Sequence, residues 1–472
     1  MAQSSRQRRG DRERRVAAAA QRRARRRSFA GSGPGGGPTA WVGPSAQGSG
    51  EPLLTADTIS TVLLSAAHEH WTGDQDVGAR IGGGLADRCA GQLGRVELAV
   101  QRAVVPLVTA AWSRGWSPED LHQLARRRLD AEAAGYLVDA IAEESQRYAK
   151  ATVAQRWHDE LQQIAAVVWW EPGPGDLGQG HLLQWTRRHG HSVAAALTTV
   201  IEVLALLLSL PVLARIVPPP GQRPLADTPT LRRGVDQKVL ARVRGLLAKA
   251  ESTTFPEEAE ALSAKAQELM SRYSLERIIV ESTVDAAGAA GSAPHPAGAR
   301  RLWLDSPYVA AKALLVGAVA TANRCRTALS EKLGFTTVLG DEVDLEIVEL
   351  LSTSLLVQAT RAMVSAGSQI TRTGQSRTRS YRQSFLIAYA TRIGERLTTA
   401  RDAGAAAVVD SARLLPVLAA RERVVDELFE SMFPESVCRS FSVGNAAGWH
   451  AGRAAADLAV LDTRRSLAAG AS

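Results

Sequence analysis

The chain has 472 residues, 45% hydrophobic and 22% charged, a balance ordinary for globular protein and sufficient for two or three domains with real cores. Its formal charge of +8 is concentrated: residues 1–30 hold eleven Arg against Asp11 and Glu13, a net of +9, leaving about −1 for everything after. A chain basic throughout is therefore excluded, and Arg outnumbers Lys fifty to six, a bias that a GC-rich genome produces without selection for bidentate phosphate contacts.

In chain order, residues 1–50 read as a disordered arm. Its densest part is Arg22, Arg23, Arg25, Arg26 and Arg27, and the Gly/Pro/Ser-rich run from Gly31 to Gly50 has too few apolar residues to fold. Such an arm is expected to hold polyanions without sequence preference and to release them with salt. No apolar stretch follows the basic residues, so a secretory signal is not expected. Cys89, Cys325 and Cys438 are odd in number, far apart and without a CxxC pair, so neither a disulfide framework nor a zinc site is expected and a reducing cytoplasm is the expected location.

Residues 51–171 read as a helical domain, in which "GWSPEDLHQLARRRL" places Ser117 as an N-cap, Pro118 in the first turn, and Glu119 and Asp120 at the positive end of the dipole. Residues 172–233 read as a Gly/Pro-bounded apolar helix and linker. Within them "GPGDLG" (Gly173 to Gly178) matches GxGxxG, but its prolines, its Asp176 and the lack of further βαβ units argue against a dinucleotide site. Ser192–Val217 is nearly long enough to span a bilayer. Glu202 near its middle and Pro211 favour a buried core helix instead. The histidines at 68, 70, 181, 189 and 191 read as packed or solvated rather than metal-ligating, and Trp169 and Trp170 as core. No metal or cofactor is expected.

Residues 234–281 read as an αα-hairpin. The first helix carries Val239, Leu240, Val243, Leu246, Leu247 and Ala250 on one face; the second starts with a Thr254 and Glu257 capping box and Pro256, and carries Ala259, Leu262, Ala266, Leu269, Met270 and Tyr273. The first is basic and the second acidic, which fits self-pairing better than a helix-turn-helix reading DNA. The runs "VLARVRGLLAKAES" and "PEEAEALSAKAQELMSRYSLE" resemble the domain of unknown function 2786, a small helical module of bacterial and phage proteins. Residues 301 to 401 resemble the α-β-β-α region that commonly follows it. The resemblance implies architecture and no reaction, cofactor or catalytic residue.

After a linker at 282–300, residues 301–402 read as that α-β-β-α domain. A helix to about Asn323 precedes a hairpin of "CRTALS" and "GFTTVLG", covered by Val343, Ile347, Leu351 and Leu355 on a long helix. A further helix from near Arg379 turns Phe385, Leu386, Tyr389, Ile393 and Leu397 inward. The loop entering that helix holds Arg372, Arg377, Arg379 and Arg382 with no acidic residue among them, and Tyr381 beside them is read as a stacking ring. Residues 403–472 read as a C-terminal helical segment in which Gly448 and Gly452 with Ala455 and Ala456 make a face small enough for close helix contact.

The fold class expected is mostly α with a small β-hairpin (α+β), in a multidomain helical protein. HExxH, GxSxG and a Gly-Lys phosphate loop are all missing from the sequence. Electrostatics is the remaining partner signal, so a nucleic-acid-associated binding protein is the leading expectation, with a protein-interaction scaffold and an enzyme without a recognisable motif as alternatives.

Overall fold

A computed structural model of the chain describes residues 54–171, 180–221, 245, 297–365, 378–406, 411–437 and 444–459. The arginine arm, the "GPGDLG" loop, the hairpin expected at 234–281 (Gly245 excepted), Arg372, Arg377 and Cys438 lie outside these residues. The described residues form thirteen α-helices and one three-stranded antiparallel sheet, a mostly α fold with a small β element.

The first eight helices are α1 (Ala56–Thr72), α2 (Val77–Arg88), α3 (Leu93–Ser113), α4 (Pro118–Arg128), α5 (Ala131–Ser145), α6 (Gln155–Gln163), α7 (His181–His189) and α8 (Val193–Leu208). They share one core. Local sequence starts several of them: Thr55, Ser117, Asp130 and Ser192 cap α1, α4, α5 and α8, and at α4 Ser117 and Asp120 complete a capping box behind Pro118. The start of α7 is satisfied from a distance instead. Glu97 on α3 accepts the Leu182 and Leu183 N–H groups at 3.0 and 3.1 Å, and Gly180 leaves room for that carboxylate because a Cβ there would collide with it.

The apolar helix expected within Ser192–Val217 is α8, 16 residues long, with Leu197, Val200, Ile201, Leu204 and Leu207 buried at the centre of this body against α1, α2, α3 and α5. It meets α7 at 114°. Glu202 lies half-buried on its flank, where burial first and Asp130 second push its carboxyl above the usual range, with His70 opposing. A raised folded-state pKa means that ionisation costs more in the folded protein than in the unfolded chain. The cost is fully present above the folded pKa and absent below about pH 4. Glu202→Gln is therefore expected to raise the melting temperature at pH 7, and the gain should vanish as melts are repeated down to about pH 4.

The sheet follows from β1 (Gly298–Trp303), β2 (Arg326–Ser330) and β3 (Phe335–Gly340), in the order β1-β3-β2. Gly298 faces Gly340, Trp303 faces Phe335, and Arg326 faces Leu339. The hairpin β2–β3 stands where it is expected, but β1 adds a third strand that falls partly in the expected linker at 282–300. Sheet faces alternate along each strand. Arg300, Leu302 and Val338 look toward α9 (Val309–Ala322) and α10 (Glu342–Ser365), while Ala299, Arg301, Trp303 and Leu339 look toward α12 (Ser411–Met432) and the helical body. Val343, Ile347, Leu351 and Leu355 of α10 are buried. This 24-residue helix is also long and apolar enough to cross a bilayer, and its buried face lies on the sheet and α9. The outer layer is α11 (Thr378–Ala406), with Phe385, Leu386, Tyr389, Ile393 and Leu397 buried, and α13 (Ala446–Asp457) packed on it.

Polar groups join β1 to the helical body. Arg301 and Asp120, with side chains each 3% exposed, form a buried ion pair, and the Arg301 guanidinium also donates to the Gly115 and Ala214 carbonyls at 3.0 and 2.7 Å. The other Asp120 oxygen accepts the Trp303 indole N–H at 3.1 Å. Arg127 pairs with Asp305 at 3.0 Å and lies over the Trp303 ring, and Arg156 donates to the Ala299 carbonyl at 2.7 Å. On the opposite sheet face Arg300 is held by Glu342, Glu346 and Glu349 of α10.

Candidate nucleic-acid interface

Three of the five residues expected at the arginine-rich loop, Arg379, Tyr381 and Arg382, lie at the start of α11. Arg379 is exposed, and Arg382 is half-buried with a buried Nε that has no hydrogen-bond partner. Neither makes an ion pair among the described residues. Tyr381 differs from its expected role: it is 4% exposed, one turn from Phe385 on the inward face, so its ring packs in the core and is closed to a base. The spacing Tyr381, Phe385, Tyr389 carried that information, since residues four apart share a helix face.

What the sequence did not reveal is the partner of this helix end. Gly448 of α13 lies against the Tyr381 carbonyl and Gly452 against the Phe385 carbonyl, each close enough that a Cβ would overlap the oxygen. Further along, Arg392 bonds Asp457 at 2.5 Å and Arg396 donates to the Ala456, Asp457 and Ala459 carbonyls. Contacts rise together along both helices, so α11 and α13 run parallel with their N-termini side by side. Asn445 caps α13 by accepting the Gly448 N–H at 2.9 Å, and its own N–H donates to Ser384 Oγ at 3.1 Å. The small face expected of Gly448 and Gly452 is this seam.

The electrostatics of the pair is lopsided. Each helix presents about half a positive charge at its N-terminus and half a negative charge at its C-terminus, and the parallel packing sets the two N-termini together while α11 runs on to Ala406 past the end of α13. Beside the C-terminus of α13, Arg396 of α11 covers the last carbonyls of α13, and Arg453 and Arg392 hold Glu395 below the usual carboxylate range by hydrogen bonds. Among the first five residues of α11 the charged side chains are Arg379 and Arg382. Positive dipole ends and guanidinium groups therefore share one edge, where an anion is favoured.

The other candidates settle into structural roles. His181 is 5% exposed, bonds Asp139 at 2.9 Å through Nε2, and stacks between Tyr136 and Trp170. Trp169 donates to Asp139 at 3.0 Å under the Arg188 guanidinium, and Trp170 is buried at 9%. His68 lies edge-on to Trp71. Among the described residues no group of three or more His, Cys, Asp or Glu side chains is placed to hold a metal ion. Cys89 and Cys325 are buried free thiols.

No curated protein and no solved structure matches the chain. Residues 238–277, between α8 and β1, match the family described as protein of unknown function (DUF2786).

Proposed function

We propose that this chain associates with nucleic acid and holds its phosphate backbone at the paired N-termini of α11 and α13. Arg379 and Arg382 supply charge there, joined by Arg372 and Arg377 from the preceding stretch of sequence. The observation that carries the reading is the parallel packing, which concentrates two positive helix ends beside two arginines without an ion-pair partner among the described residues. Arg22, Arg23, Arg25, Arg26 and Arg27 of the arm add a sequence-independent attraction. The buried free thiols are in keeping with a reducing, cytoplasmic setting.

The test separates arm from interface. Deleting Met1 to Ala30 is expected to weaken retention of duplex DNA and single-stranded RNA at low salt. In that shortened chain, changing Arg377, Arg379 and Arg382 together to Gln should leave the melting temperature unchanged and reduce the slope of log affinity against log salt by about three phosphate contacts' worth. An unchanged affinity and an unchanged slope would turn the assignment to a protein-interaction scaffold.

A further inference from the structure

We propose that residues 222–296, with the family-matched segment inside them, are an insertion into a scaffold that folds without them. The described residues stop at Gly221 and resume at Ala297, and both flanks are anchored to the stretch from Thr152 to Arg156. The Gly221 N–H donates to the Thr152 carbonyl at 3.2 Å, while Arg156 Nη1 donates to the Ala299 carbonyl at 2.7 Å. Thr152 and Arg156 are four residues apart, a stretch that spans at most about 14 Å even fully extended.

The segments before Gly221 and after Ala297 are also neighbours away from that point. Arg301 of β1 donates to the Ala214 carbonyl at 2.7 Å, and Ile216 packs on the same small apolar cluster as Ala297, around Ala299 and Phe429. The buried ion pair between Arg301 and Asp120 and the indole bond of Trp303 link residues on opposite sides of 222–296 without drawing on any residue within it. Two chain ends pinned together at an exposed edge are the condition under which a domain accepts inserted sequence, because closing a longer loop there costs only a logarithmic increment.

The inference concerns folding and stands apart from the nucleic-acid reading. A Gly/Ser linker of about twelve residues reaches about 20 Å, enough to join Gly221 to Ala297. With that linker in place of residues 222–296, the protein should stay soluble, keep its helical circular dichroism, and melt within about 3 °C of the full chain. A second experiment leaves the full chain to fold first: specific protease sites are placed near residues 225 and 293, and the folded protein is cut. The two scaffold pieces should then co-elute on size exclusion and melt together.

Success of either experiment sustains the insertion. An insoluble or strongly destabilised linker variant together with dissociation of the cut protein overturns it. Nucleic-acid affinity of the linker variant is a separate readout: its loss with an unchanged melt counts against the α11 and α13 interface and leaves the insertion standing.

Discussion

Gly452→Ala is expected to destabilise the protein by about 2 kcal/mol or more, although alanine is the better helix former by up to about 1 kcal/mol. Space decides the sign. A Cβ at position 452 would stand inside van der Waals contact with the Phe385 carbonyl oxygen and 3.0 Å from the Ala388 Cβ, and the carbonyl belongs to the backbone of α11, which cannot swing aside as a side chain would. The two helices must separate, and separation strips contacts from Tyr381, Phe385 and Ala456 together. Gly448→Ala, against the Tyr381 carbonyl, should behave alike. The control is Gly135 in α5, where a Cβ meets nothing within 4 Å; Gly135→Ala should raise stability by about 0.5–1 kcal/mol. Thermal melts of the three variants give the comparison, and equal effects at 135 and 452 would sink the close-packed seam.

The second large effect is expected at the buried pair between α4 and β1. Asp120→Ala removes one carboxylate that serves four donors: the Ser117 N–H and hydroxyl, Arg301, and the Trp303 indole. It leaves the Arg301 charge 3% exposed and without its counter-ion, so the expected loss is about 3–5 kcal/mol. Arg301→Ala strands the carboxylate in the same way, although Ser117 and Trp303 still donate to it, and should cost somewhat less. The double variant should fall short of the sum by about 1–3 kcal/mol, because the second substitution removes a charge that the first has already left unpaired. Denaturant melts of the four proteins measure that coupling, and strict additivity would mean that the two groups do not stabilise each other.

Much of the helical layout follows from local rules visible in the sequence. Ser117, Pro118, Glu119 and Asp120 start α4 within a single turn, and the inward residues of α10 and α11 repeat at three- and four-residue steps, so one helix suffices to assign their buried face. The features that stayed hidden depend on distant partners. Glu97 caps α7 from 85 positions away, and nothing in the residues near His181 announces it. The small face of Gly448 and Gly452 was visible, but that it lies on the start of α11, and in the same direction, depends on a tertiary approach without a local signature. The three arginines near Tyr381 suggest solvent, whereas its four-residue spacing to Phe385 points inward, and the spacing prevails. Strand β1 escaped notice because "GARRLW" sends one arginine to each face, which erases the alternation of apolar and polar residues by which half-buried strands are found.

That symmetry bears on how β1 finds its alignment. Side chains repeat every two residues along a strand, so sliding β1 by one position exchanges its faces. After such a slide an arginine would again point at the glutamates of α10 and another at the helical body, so ionic attraction scores the native and shifted alignments nearly alike. The difference rests on Trp303. In the native alignment its ring meets Phe335 and its indole N–H reaches Asp120, whereas one step away Leu302 would face Asp120 and offer no donor. The arginines fasten the strand, and the indole selects which of two otherwise similar positions is fastened.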